Sequence, residues 1–230
     1  MDRGFPFRIL RLSRIAIVQV PRKVPDPFMR FILSEDHWVL DSLFPGEWEW
    51  IRMLPGLAAG EGFSRSSCER LFPSPLAPEV LADVGTISQM EDWDELVRPE
   101  LEELFASARA VVEGDLSRCQ TYAIGADDDA EDDEDDDPFR EELEELGLPV
   151  ELPELRRVIV PFEHTEAWYS TLNQARLLMN EEFDLATSEE RHLAKTLGPE
   201  IVGSDRLLLI AQYELYSFIQ SILVEKVMED

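Results

Sequence analysis

Hydrophobic residues are densest between Ser204 and Glu229, about seven turns if the segment is helical. At ~100° per residue, Leu208, Ala211, Leu215, Phe218, Ile219 and Ile222 fall on one face. Leu209, Tyr216, Leu223 and Val227 widen that face until Ser217, Ser221, Glu214 and Glu225 are left for water. A helix this apolar is expected to be enclosed by others. The pattern therefore predicts a helical core at the C-terminal end.

The segment from Thr165 to Glu182 shows a cleaner division, with Trp168, Leu172, Ala175, Met179 and Phe183 forming the predicted core face. Between these helices a third is predicted from Thr187, where Thr187 and Glu190 have capping-box spacing, to near Gly198-Pro199. Arg157 to Val160 reads as a strand stopped by Pro161. Asp94 to Glu113 reads as a helix ended by Gly114, with Leu101, Leu104, Phe105, Ala108 and Val112 inward. Glu79 to Val84 and Glu141 to Leu146 read as short helices.

Nearer the N-terminus, Phe7 to Val20 reads as a long strand or a strand pair, and Phe28 to Leu33 as a returning strand. Ser34 has the character of an N-cap, with Glu35 and Asp36 in a first turn, for a helix through Leu43. Glu47 to Leu54 resumes as helix after Pro45-Gly46, and Pro55-Gly56 with Gly60 and Gly62 marks a loop. The fold class expected is mainly α, a compact helical domain with a central C-terminal helix. A small β element comes from the N-terminal segment and residues near 157–160. Residues 1–125 supply the strand segment and middle helices and 138–230 the helical core, as one domain interrupted by 126–137.

Charge singles out that interruption. Residues 127–137 hold ten acids, broken only by Ala130, in a chain of net charge -28. Such density repels and buries nothing, which predicts a disordered acidic insert. The acidic balance argues against phosphate-backbone binding and against an anionic membrane surface. Only residues 1–33 are basic, and their Arg8, Arg11 and Arg14 either contact nucleic acid or blunt a strand edge. No apolar run approaches the ~20 residues that span a bilayer, and the N-terminus lacks a secretory pattern. Cys68 and Cys119 have no metal or redox spacing, which fits a reducing cytoplasm.

Candidate chemistry is sparse. Tyr169, Asn173, Arg176 and Asn180 recur at spacings of 4, 3 and 4 and project from one side of the Thr165 helix. They could line a groove in which Arg176 grips a carboxylate or phosphate. Alternatively they bond to backbone and to Tyr213 and Gln220 on the last helix. Glu189 and His192 form a single Glu-x-x-His step, where a di-iron bundle needs two, so no metal is expected. His37 and His164 sit at expected helix starts beside acids and need no catalytic role. Gly62-Phe63-Ser64 is no nucleophile elbow, and the glycine loop lacks the Lys-Ser/Thr of a phosphate loop. No cofactor is expected.

The run Ala167-Trp168-Tyr169-Ser170-Thr171-Leu172-Asn173-Gln174-Ala175-Arg176-Leu177 resembles a Trp-Leu-x-x-Leu-Asn-x-x-Arg-Leu stretch of a bacterial family. Tyr213, Gln220, Leu223 and Val224 are similar to that family's closing pattern, and Arg70-Leu71-Phe72-Pro73 resembles a middle element. The family is the domain of unknown function (DUF) group numbered two thousand and seventeen. The chain departs from it in the Asp127–Asp137 insertion, the long N-terminal segment, and Leu215 and Phe218 where Trp is common. The resemblance implies a small, mainly helical, cytoplasmic bacterial protein without an established activity. The function expected is non-enzymatic interaction or regulation through a protein partner. The alternatives are a small-molecule-binding or enzymatic domain using the polar stripe, and a nucleic-acid-associated regulator.

Overall fold

The computed structural model describes residues 29–73, 90–123, 154–185 and 203–228. The expectations for the Phe7–Val20 strand, the N-terminal arginines, the short helices at Glu79 and Glu141, the acidic insert and the helix from Thr187 lie outside the described residues.

A four-stranded antiparallel sheet packs against helices. Its strands are β1 (Arg30–Leu33), β2 (His37–Leu43), β3 (Gln120–Ala123) and β4 (Glu154–Pro161), in the order β1-β2-β4-β3. The helices are α1 (Pro45–Ala58), the single turn α2 (Arg65–Cys68), α3 (Arg98–Ser117), α4 (Thr165–Phe183) and α5 (Ser204–Leu223). The protein is thus mainly α with a small β element.

Residues 34–43 correct the helix expected there. Ser34 N–H donates to the His37 carbonyl at 2.9 Å, closing a tight hairpin, and the acids thought to open a helix form its turn. His37 accordingly starts a strand and not a helix. The reason for the misreading is burial on both faces. Trp38 and Leu40 point at the helices and Val39 and Asp41 at the opposite face, yet all four are buried, so the alternation that betrays a strand is lost. β3 carries no pattern of its own and was not expected. It is a four-residue edge held by pairing with Glu154–Arg157.

Pro55-Gly56 does not end α1. Proline there forfeits one hydrogen bond in the last turn, and burial of Leu54, Leu57 and Ala58 holds the helix to Ala58. The chain reverses only at Gly60, at φ +90°. Gly114 likewise lies within α3, whose last turn is anchored by buried Asp115 and Leu116.

α4 has α1, α3 and α5 packed around it. Trp168, Leu172, Ala175 and Met179 are buried as expected, and Phe183 packs half-buried against Phe63. Arg206 at the start of α5 donates to the free carbonyls of Phe183 and Asp184 at the end of α4. Trp38 from the sheet meets Trp168 edge-on at 5.2 Å, and its indole N–H donates to Thr165 Oγ1 at 3.1 Å.

The burial of α5 differs from the expectation. Its buried stripe is Ile210, Gln212, Tyr213, Tyr216, Ile219, Gln220 and Leu223. Of the six residues expected to share the core face, only Ile219 is buried. Leu208 is 41% and Phe218 51% exposed, and Ala211, Leu215 and Ile222 are half-covered. On α3, Leu104, expected inward, is 61% exposed.

The expectation that no segment could span a bilayer is also corrected. Ser204–Met228 is long and apolar enough by length and composition, with only 39% of its most apolar window buried. Its inner side is nevertheless tied to the protein. Tyr216 donates its hydroxyl to the Trp50 carbonyl at 2.5 Å, and Gln212 donates to Tyr216 at 2.9 Å.

Candidate functional site

The polar stripe of α4 meets α5. Arg176 Nη1 donates to Gln220 Oε1, Nη2 lies 3.4 Å from the Tyr213 hydroxyl, and the guanidinium stacks 5.1 Å from the Tyr213 ring centroid. Tyr169, Asn173, Arg176 and Gln220, joined by Ser221, Val224 and Glu225, line a shallow groove of about 320 Å³. Asn180 is half-buried beyond its end and does not line it. The structure thus gathers Tyr169, Asn173, Arg176, Tyr213 and Gln220 at one helix interface. Two of the guanidinium's nitrogens are engaged by α5 itself. Among the described residues, Arg176 Nε is buried without a hydrogen-bond partner.

Three polar clusters escaped sequence reasoning because their members are far apart in the chain. In the first, Asp115, 1% exposed, accepts from Trp168 Nε1 at 2.8 Å and from Arg118 Nη2. His164 Nδ1 is 2.9 Å from its Oδ1 and 3.1 Å from its Oδ2. That contact orients the ring and directs Nε2 outward, 3.8 Å from Glu163. No hydroxyl or thiol lies within hydrogen-bond distance of His164 among the described residues.

In the second cluster, Asp41 accepts from Arg157 Nε at 2.7 Å and from the Tyr122 hydroxyl at 2.9 Å. Ser42 beside it sits at φ 58°, in a bulge between Leu40 and Leu43 where the β2–β4 register shifts. Burial disfavours the Asp41 carboxylate, yet the Arg157 and Tyr122 hydrogen bonds and the arginine charge hold its carboxyl below the usual range. In the third, Glu182 Oε2 accepts from Ser67 Oγ at 2.6 Å, Ser64 Oγ at 2.7 Å and Ser64 N–H at 3.0 Å, which lowers its carboxyl as well. These bonds fasten the turn after α1 to the end of α4.

A cleft of about 680 Å³ lies between α1 and α3 and is walled by Trp48, Met53, Leu57 and Leu116. Arg52, Glu61 and Glu113 also line it. Both thiols are free and half-buried, and burial pushes Cys119 up. Among the described residues no three metal-ligating side chains converge. No family model, curated protein or solved structure matches the chain.

Proposed function

We propose that the chain is a non-enzymatic interaction protein that presents the outward ridge of α5 to a helix of a protein partner. One observation carries this reading. Leu208, Ala211, Leu215, Phe218 and Ile222 follow one another at alternating steps of 3 and 4 residues, and none of them is buried. That spacing is the seam by which one helix packs on another. The inner stripe serves the protein's own core and Leu215 packs partly against it, so α5 carries an outward apolar edge, most open at Leu208 and Phe218, that the described fold covers only in part. A net charge of -28 on each copy opposes self-pairing and favours a different partner.

The double substitution Leu208→Gln with Phe218→Gln tests this. The variant should melt within a degree or two of the wild type and lose the partner that full-length protein retains in affinity capture from its native cytosol. Equal capture by both proteins overturns the reading. So does a melting point lower by many degrees, because the ridge would then be covered by the protein's own body.

A second reading, small-molecule binding at the α4–α5 groove, has the unmatched Arg176 Nε in its favour. It requires that Arg176→Lys abolish binding of a carboxylate ligand while the fold persists.

A further inference from the structure

We propose that the outer face of α3, with the wide turn before it, is a second docking surface, one that receives a basic amphipathic helix of another protein. This rests on the reading of the chain as an interaction protein and adds a location and a partner chemistry. Residues 90–117 continue as helix through Pro99, which lacks an N–H to donate and crowds the carbonyl four residues before it. Arg98 N–H instead reaches back five residues to the Trp93 carbonyl, making Trp93–Val97 a π turn. Such turns recur at functional sites. Within it Leu96 is 62% and Val97 39% exposed, and Leu104 further along is 61% exposed. Leu101 and Ala108 lie half-buried among them. From Leu96 to Ala108 the ridge runs roughly 18 Å, the length of a three-turn helix.

Its border is negative. Glu100 and Glu103 lie on the solvent side of Leu104, with Asp92 and Glu95 ahead of Leu96, all four exposed and in no ion pair among the described residues. Two nearby cations among the described residues are occupied. Arg98 pairs with Glu102 at 2.9 Å and Asp94 at 3.9 Å, and Arg109 donates to Gln174 at 2.8 Å. An apolar ridge rimmed by carboxylates that no cation among the described residues opposes repels a second copy of this chain and an anionic lipid surface. It complements a helix with apolar residues at i, i+3, i+4 and i+7 and Lys or Arg beside them.

The probe is a synthetic Leu/Lys amphipathic peptide of about four turns, titrated into the full chain by fluorescence anisotropy and amide NMR. Binding should perturb residues 96–108, weaken steeply as salt rises, and fall roughly tenfold or more in Leu96→Gln with Leu104→Gln. Both leucines are exposed, so that variant should melt like the wild type. Equal affinity in the variant would show attraction by acidic segments alone and overturn the proposal. A matching Leu/Glu peptide binding as well, self-association lost in the variant, or a melting point lowered by many degrees would each do the same. Loss of the peptide with Leu208→Gln and Phe218→Gln, but not with the α3 pair, would sink this inference while leaving the α5 reading intact.

Discussion

Trp168 and Asp115 meet inside the protein, the indole N–H donating to the carboxylate at 2.8 Å across 53 residues of chain. The bond joins the middle of the helical core to the end of α3. It also supplies an anion to which His164 and Arg118 are drawn. A buried carboxylate is tolerated only with such partners. Asp115→Ala would leave the Trp168 and His164 donors without their acceptor, and we expect a loss of about 3 kcal/mol in urea denaturation. Asp115→Asn should lose less. A change below about 0.5 kcal/mol for the alanine would refute this account.

Asp41 predicts an acid-sensitive fold. Its carboxyl sits below the ordinary 3.8 because the Arg157 and Tyr122 interactions outweigh the opposing effect of burial. The stability it gives is therefore complete above pH ~4 and is lost as pH falls through the folded value. Arg157→Met leaves burial dominant, raises the carboxyl, and should move the acid-unfolding midpoint to higher pH. Far-UV circular dichroism against pH checks this, and an unmoved midpoint contradicts it.

Tyr216 predicts the opposite limb. Burial drives its phenol far above the ordinary 10.0. The folded state holds that proton after the unfolded chain has released it, so this contribution is lost as pH rises above ~10. Tyr216→Phe removes the bonds to Trp50 and Gln212 and should cost about 1–2 kcal/mol at neutral pH. It should also flatten the alkaline decline. Tyrosinate absorbance at pH ~10 in a still-folded protein that exceeds the Phe variant's by one tyrosine would sink only the burial argument.

For Arg176 and Gln220 a double-mutant cycle is decisive. If the pair serves the fold, Arg176→Met and Gln220→Leu should each destabilise, with a coupling of about 1–2 kcal/mol between them. Additive effects would release Arg176 from its structural duty and strengthen the groove reading.

Gly60 tests the turn after α1. At φ +90°, an added Cβ would stand 2.6 Å from Cys68 Sγ. Gly60→Ala should therefore cost about 1–3 kcal/mol. Cys68→Ala in the same chain should restore part of that, since it removes the clash and leaves the strained backbone. No recovery would show that the dihedral alone sets the cost.

The sequence by itself determined the mainly helical class, the extent of α4 and its buried stripe, and β4 within a few residues, because these follow from local periodicity. Periodicity gives a residue's angle about its own axis and does not say what stands opposite. Tertiary structure alone decided that Ile210 and Tyr213 join Tyr216 and Leu223 inside while Leu208 and Phe218 stay out, since an all-round apolar helix offers two equivalent choices. It also decided that His37–Leu43 is a strand, because covering both its faces erased the alternation. The Asp115 and Asp41 clusters were beyond sequence reading for a related reason. Their partners lie tens of residues away, and only packing of the helices and sheet brings those charges together.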